Sequence, residues 1–427
     1  MFKKLQNKIY ILSKKYGKKF GFDFTYFLKN GFWMTFRQII GMGTGSLLSV
    51  AFARLLSKDT FGQYQFIISI MSMISIISIT GLNTSIIQSV ARGYDGSYIK
   101  AVKIRFLWSL IGIPTLLIVG GYYYISESQT LGLALLTSGI FFPFFYALNT
   151  WDSFLQGKER FDLSAKYTSI QSIINTLFII SIVFFFRDNL IAIIIAYFAS
   201  YSIFNVLWFW RSLKYIKNKE DDKEVIDYGL FLTKINILGI IANNIDKILV
   251  GSLLGPKELA IYAITSVIAI RLKDFLKTFS SILLPKLAMS RLNFFEILKM
   301  HQNKLIYFSM AILLISIIYY MGIPYINLLL FTEKYAIYSY LSKIYVITIL
   351  LSMPLSFMGI YFYAKRNKFA ISLINPFFYL IKILINIFFI YEYGLLGAVI
   401  AFNVSMIVWF LLHLFGIFYT YTTHVRK

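Results

Sequence analysis

The chain has 427 residues, 58% of them hydrophobic and only 14% charged, with no cysteine, three histidines and a formal net charge of +23. About a quarter of a soluble domain is charged and a disordered chain is apolar-poor, so both classes are excluded, and the missing cysteines exclude a disulfide scaffold and a cysteine zinc site. What remains is a polytopic membrane protein, and the open question is why it carries 42 Lys and Arg against 19 Asp and Glu.

Residues 1–28 are basic but hold no apolar core with a cleavage site, so they do not form a signal peptide. Phe2, Leu5, Ile9, Leu12 and Tyr16 recur at helical spacing and predict an amphipathic helix on the inner membrane surface. A crossing helix needs roughly 20 mainly apolar residues. Such stretches run near 31–55, 65–88, 106–125, 131–155, 168–186, 190–210, 229–254, 259–284, 305–330, 338–362, 370–391 and 394–421. Runs such as Phe66 to Ile79 do not alternate in polarity, which excludes a β-barrel. The predicted fold is an all-α polytopic membrane protein with about twelve transmembrane helices in two six-helix lobes. Its parts are a basic cytoplasmic segment (1–28), an N-lobe (29–213), a cytoplasmic linker (214–228), a C-lobe (229–421) and a cytoplasmic tail (422–427).

The lobes read as a repeat. Leu55-Leu56-Ser57-Lys58-Asp59-Thr60-Phe61-Gly62-Gln63-Tyr64 aligns without gaps to Leu253-Leu254-Gly255-Pro256-Lys257-Glu258-Leu259-Ala260-Ile261-Tyr262, and Ala192–Ala196 echoes Gly397–Ala401. An even number of crossings per lobe makes this a parallel pseudo-two-fold repeat, the architecture of a transporter that passes cargo between its lobes. Pro114, Pro143, Pro354 and Pro376 fall inside spans and are expected to kink them.

Most cations fall on one side: Lys3 to Lys29, then Arg92, Lys100, Lys103 and Arg105, then Lys158, Arg160 and Lys166, the linker, and the connections around Lys286–Lys304 and Lys365–Lys368. The opposite loops hold only Lys58, Arg187, Lys257 and Lys334. The positive-inside rule then makes both termini cytoplasmic, in a multi-pass inner (plasma) membrane protein. This bias explains most of the charge without nucleic acid as a partner.

Several stretches carry a family resemblance. Gly41-Met42-Gly43-Thr44-Gly45-Ser46 runs into Ala53-Arg54-Leu55-Leu56 and Phe61-Gly62-Gln63-Tyr64. Asn244-Ile245-Asp246-Lys247-Ile248-Leu249-Val250-Gly251 is followed by Leu254-Gly255 and Tyr262. Leu155-Gln156-Gly157-Lys158-Glu159-Arg160 has a counterpart in Tyr363-Ala364-Lys365-Arg366-Asn367. From about residue 29 to 420 the chain resembles the polysaccharide flippases, the Wzx-type O-antigen transporters of the multidrug/oligosaccharidyl-lipid/polysaccharide exporter superfamily. The resemblance implies an inner-membrane protein that moves undecaprenyl-pyrophosphate-linked oligosaccharide, an O-antigen or capsule repeat unit, from the cytoplasmic to the periplasmic leaflet. It also implies polysaccharide polymerase and chain-length proteins as partners beside the membrane lipids.

Arg37, Arg54, Lys234, Lys247, Arg271, Lys273, Lys277, Lys343 and Lys382 lie within the spans. Central charges are costly in lipid and face a bundle interior or a wet cavity. Arg54 and Lys343 lie near helix ends and are expected to snorkel to the interface. Arg271, Lys273, Asp274 and Lys277 spread over about 160° of their helix, and Asn236, Asn243 and Lys247 form a polar stripe within about 40° on theirs. With Asp246 and Asp274 read as the only deep carboxylates, internal pairing cannot absorb these cations. Arg37, Lys234, Lys247, Arg271, Lys273, Lys277 and Lys382 are therefore the expected lining of an anion cavity, suited to a pyrophosphate. Asp246 and Asp274 are the expected charge-pairing residues, and Asp246 is also a candidate for coupling Na+ or H+; no other cofactor is implied.

Other motifs do not survive. Gly41, Gly43 and Gly45 lie within a membrane helix rather than after a strand, so they read as small residues for close helix contact, not a dinucleotide fingerprint. His301, His413 and His424 form no cluster, no Ser-His-Asp arrangement or P-loop exists, and no site is catalytic. The alternative readings are a multidrug exporter of the same superfamily, disfavoured because its cargo calls for net negative charge, and a membrane polysaccharide polymerase, disfavoured because the outer loops are short.

Overall fold

A computed structural model of the chain describes residues 24–281, 287, 290, 292–365, 367 and 370–425. The predicted amphipathic helix at the N-terminus lies outside the described residues, as do Lys286, Arg291, Arg366, Lys368, Arg426 and Lys427. Among the described residues there is no strand. The first half holds α1 (Phe24–Leu55), α2 (Lys58–Ile74), α3 (Leu82–Ala91), α4 (Gly96–Leu110), α5 (Gly112–Ser126), α6 (Gln129–Tyr146), α7 (Trp151–Gly157), α8 (Phe161–Phe185) and α9 (Leu190–Leu213). The second holds α10 (Val225–Ala242), α11 (Ile245–Leu249), α12 (Pro256–Ser281), α13 (Phe294–Met300), α14 (Gln302–Phe331), α15 (Glu333–Ala336), α16 (Ser339–Ile344), α17 (Val346–Ala364) and α18 (Asn375–Val425).

Nine helical stretches among the described residues are long and apolar enough to cross a membrane. The last, Ser372–Thr422, has two legs, because Gly394 (φ 55°, ψ −132°) breaks α18. α1 and α12 have crossing length but fall outside that set; both are interrupted by charged residues. The expectation of about twelve crossings rests on adding these two helices and dividing α18.

Several predicted spans are broken rather than continuous. The second is α2, a 3₁₀ turn at Ser75–Ser78, a left-handed Ile79 (φ 54°) and then α3. An L-residue pays roughly 1–2 kcal/mol for that conformation, and packing here compensates it. Gly81 comes so close to α10 that a Cβ would lie 2.3 Å from the Gly229 carbonyl oxygen. The Gly81 amide donates to the Thr233 hydroxyl at 2.9 Å, which donates onward to Gly229 O at 2.8 Å. Pro114 and Pro376 turn out to sit in the first turns of α5 and α18, where a missing amide costs nothing, while Pro143, Pro324 and Pro354 lie inside helices.

The repeated turns meet each other. Gly62 in α2 touches the start of α12 so closely that a Cβ would lie 1.7 Å from the Pro256 carbonyl oxygen. Matched positions are buried alike: Phe61 and Leu259, Tyr64 and Tyr262, Ile193–Ile194 and Ala398–Val399. Around this contact the first half grips the end of α14. Arg54 donates to the carbonyl of Leu330 at 2.9 Å and to that of Leu329, Lys334 donates to the Leu56 carbonyl, and Lys58 lies 4.7 Å from the Tyr338 ring centroid. Arg54 therefore does not snorkel as expected. It caps the orphan carbonyls at a helix C-terminus, where a cation also meets the negative end of the helix dipole. Lys343 sits 5.0 Å over the Tyr320 ring.

At the other face, Asp95 anchors the connection between halves. Its carboxylate is fully buried and accepts from Lys158 Nζ at 2.9 and 3.0 Å and from the Lys217 amide at 2.7 Å. Gly96 N donates to Glu220 O at 2.8 Å, and Asp222 N to the Ser97 hydroxyl at 2.7 Å. The connection is thus bound to the first half rather than free.

Replacing Gly62 by Ala inserts a methyl group where Pro256 already lies, and overpacking of this kind costs about 1–3 kcal/mol. The melting temperature of the purified protein, followed by tryptophan fluorescence, should fall; an unchanged value would show that α2 and α12 are not in contact there.

Candidate functional site

A cavity of about 550 Å³ lies within the second half, lined by Asn243, α11, α12, α17 and α18. A volume of this size is that of a small-molecule site. Its lining follows helical periodicity: Ser266, Ile270, Lys273, Asp274 and Lys277 on α12; Ser352, Ser356 and Gly359 on α17. The two legs of α18 contribute Asn375, Phe378, Tyr379 and Lys382, then Phe402, Ser405, Trp409 and His413.

A break in the backbone supplies the rest. α10 stops at Ala242; Asn243 and Asn244 interrupt it, α11 follows, and Val250–Leu254 is a π-helical turn. The Asn244 side chain donates to the Ile240 carbonyl at 2.8 Å, satisfying one acceptor freed by the break. Irregular backbone at membrane depth is tolerated only where protein or a wet cavity surrounds it. Here it sets Asn243, Asp246 and Lys247 on the cavity wall.

Four lysines, Lys247, Lys273, Lys277 and Lys382, face two carboxylates, Asp246 and Asp274. Lys382 Nζ donates to Asn243 Oδ1 at 2.9 Å, and Lys273 Nζ lies 5.5 Å from the Phe402 ring centroid. Asp246 is 6% exposed and accepts from the Tyr262 hydroxyl at 2.7 Å through Oδ2. Its Oδ1 has no hydrogen-bond partner, and no cation comes within ion-pair distance of it, among the described residues. Asp246, expected to pair with a cation, thus has a hydroxyl as its partner instead.

Other expected lining residues lie elsewhere. Arg37 belongs to the first half, where Nη1 contacts Asp152 at 2.9 Å and donates to the Ser164 hydroxyl at 2.9 Å. Asp152 falls inside the predicted span 131–155, and as a carboxylate it neutralises Arg37. Lys234 and Asn236 are exposed on α10, outside the cavity, so the expected stripe is reduced to Asn243 and Lys247. Arg271 turns the other way, onto a smaller cavity of about 260 Å³ between α12, α1 and the end of α14. Its guanidinium fills the space beside Gly45, where a Cβ would lie 2.6 Å from Nη2. Gly41 and Gly43, expected to admit another helix, have nothing within 4 Å.

Sequence reasoning missed the aromatic wall and His413, although Asn375-Phe378-Tyr379-Lys382 and Phe402-Ser405-Trp409-His413 carry the signal: polar and aromatic residues on one stripe of an apolar helix. It also placed Arg105 in a cytoplasmic loop. Arg105 is 1% exposed, donates to Asn83 Oδ1 and leaves its Nε without a partner among the described residues.

The repeat sharpens the charge asymmetry. Extending the register of the paired turns toward the N-terminus sets Leu48 opposite Asp246, Ser49 opposite Lys247 and Gly45 opposite Asn243. At these matched positions the second half carries Asp246 and Lys247 where the first half carries uncharged Leu48 and Ser49. With four cations against two anions the cavity is complementary to an anion, and lysines act on it as mobile point charges. Charge-assisted hydrogen bonds are worth about 1.5–3 kcal/mol. Lys382→Ala or Lys273→Ala should weaken binding of inorganic pyrophosphate by about tenfold or more in calorimetry, and Arg37→Ala should leave it unchanged while lowering the melting temperature. Equal losses in all three would return the lysines to a packing role.

Comparison with known proteins fits this geometry. No curated protein sequence matches. Among solved structures, the chain is similar to a lipid II flippase, MurJ, in an inward closed conformation (TM-score 0.69, 15% identity, 91% of this chain and 87% of that one). It is also similar to an inward-facing multidrug resistance transporter of the MATE family in the MOP superfamily (TM-score 0.68, 13% identity, 90% and 96%). A third is a MOP superfamily transporter from Pyrococcus furiosus, described as having a binding pocket of reverse polarity (TM-score 0.63, 13% identity, 93% and 96%). At these identities the likeness shows the fold. The sequence model of one family, described as polysaccharide biosynthesis protein, matches residues 27–293, more than half of the chain. The protein is thus a multi-pass membrane protein whose fold is like that of these solved structures, and it belongs to the polysaccharide biosynthesis protein family.

Proposed function

We propose that the protein is a flippase for undecaprenyl-pyrophosphate-linked oligosaccharide, an O-antigen or capsule repeat unit, moving it from the inner to the outer leaflet of the plasma membrane by alternating access. The observation that carries this reading is the excess of lysine over aspartate in a cavity at membrane depth. A buried cationic site suits an anionic occupant, and the phosphate that links lipid to sugar in the proposed cargo is such an anion. An exporter of cationic drugs, the fold's other use, would meet repulsion here. A membrane polymerase is disfavoured because the predicted outer loops are short and hold cations rather than a set of catalytic groups.

Asp246 is the proposed coupling residue. Its open oxygen and single hydroxyl partner suit a proton or Na+, which would pass through the same cavity as the cargo. The excess of Lys and Arg on the face of the Asp95 anchor supports both termini being cytoplasmic; polysaccharide polymerase and chain-length proteins are the proposed partners.

In a deletion strain the undecaprenyl-linked repeat unit should accumulate in the inner leaflet and surface polysaccharide should fall. Unchanged polysaccharide with no inner-leaflet build-up would sink the proposal. Because the chain has no cysteine, single cysteines at Lys58 and Lys217 should react with impermeant maleimide from opposite sides of the membrane; labelling from one side would overturn the topology.

A further inference from the structure

We infer that the aromatic wall of the second-half cavity is a carbohydrate subsite, built to hold the first sugar of the cargo while the lysines hold its phosphate; this rests on the proposed flippase function. The wall is formed by Trp409, Tyr379 and Phe378. Trp409 packs against Phe378 with ring centroids 4.0 Å apart, and Tyr379 presents a ring plane within 22° of that of Trp409 at 6.4 Å. Tyr379 is seated by Gly239, where a Cβ would meet its ring at 3.1 Å. Phe378 is buried, whereas Trp409 and Tyr379 remain partly exposed.

Packing alone does not account for this arrangement, because polar groups are set among the rings. Asn375 and Ser405 line the same cavity. His413 adjoins Trp409 at 4.3 Å, with Nδ1 2.9 Å from the Trp409 carbonyl oxygen. A carbonyl only accepts, so Nδ1 carries the proton and Nε2 is left as an acceptor. No hydrogen bond among the described residues uses Nε2, and the side chain lines the cavity where Gly359 opposes it without a Cβ. A lipid tail would be served by rings alone. A pyranose needs both: its C–H face is electropositive and meets the negative face of a π system, while its hydroxyls need donors and acceptors around the rim.

Position gives the second argument. In a lipid pyrophosphate the first sugar is bonded directly to phosphate, so its subsite must adjoin the cation that holds that phosphate. Phe378 and Tyr379 precede Lys382 by one helical turn, the separation at which side chains are neighbours, about 5–6 Å apart. The cavity of about 550 Å³ admits such a head group and not a whole lipid-linked oligosaccharide.

The test compares binding of citronellyl pyrophosphate with its glucosyl, galactosyl and N-acetylglucosaminyl derivatives to the purified full-length protein. At least one sugar should raise affinity about tenfold over the bare pyrophosphate, the scale of one good ring contact. Trp409→Ala should abolish that increment and leave bare pyrophosphate binding intact, which also shows that the variant is folded; Trp409→Phe should keep most of it. If no sugar improves on the bare compound, the subsite is overturned while the flippase reading stands. If Trp409→Ala weakens bare and glycosylated compounds alike, the ring meets the prenyl chain or packs the lobe, and the subsite is again overturned. If none of the compounds binds, the flippase reading itself fails.

Discussion

In lipid every backbone polar group must find a partner within the protein, and this constraint decides where the chain can interrupt its helices. α10 ends at Asn243–Asn244, and the break is held by the Asn244 side chain on the Ile240 carbonyl and followed by a π-helical turn. Such an interruption survives only beside a cavity or within packed protein. The residues it carries, Asn243, Asp246 and Lys247, are therefore the ones on the cavity wall. A continuous helix here would have presented them on a regular stripe with Asn236, which instead remains outside.

The repeat explains how one architecture yields a one-sided site. The two turns meet at Gly62 and Pro256, and Tyr64 and Tyr262 are buried at equivalent positions. In the first half that tyrosine packs among Phe52 and Tyr197; in the second it donates to Asp246. The same scaffold is filled with apolar contacts on one side and with charge on the other. The excess of cations thus divides by physical role. Arg54 caps a helix, Arg37 is neutralised by Asp152, and the lysines of α11, α12 and α18 line the cavity with Asp246 and Asp274.

The helical fold was legible because apolar runs of crossing length admit few alternatives. The cavity was legible in part. Lys247, Lys273, Lys277 and Lys382 were recognisable as deep charges, but their separation from Arg37, Lys234 and Arg271 was not. Depth follows from position along a helix. The direction a side chain faces depends on which neighbour covers it, and that neighbour is distant in the chain. Asp152 lies 115 positions from Arg37. Arg105 reads as a loop cation until α4 is seen to carry it into the interior of the first half.

By itself the sequence determined a membrane-embedded helical repeat with more deep cations than deep anions, because hydrophobic length and residue identity are local properties. Only the tertiary structure decided which of these cations share a cavity, that Arg37 is paired elsewhere, and that Trp409, Tyr379 and His413 stand beside the lysines. Charge compensation and shared cavity walls are properties of pairs brought together by helix packing, and no local pattern contains them.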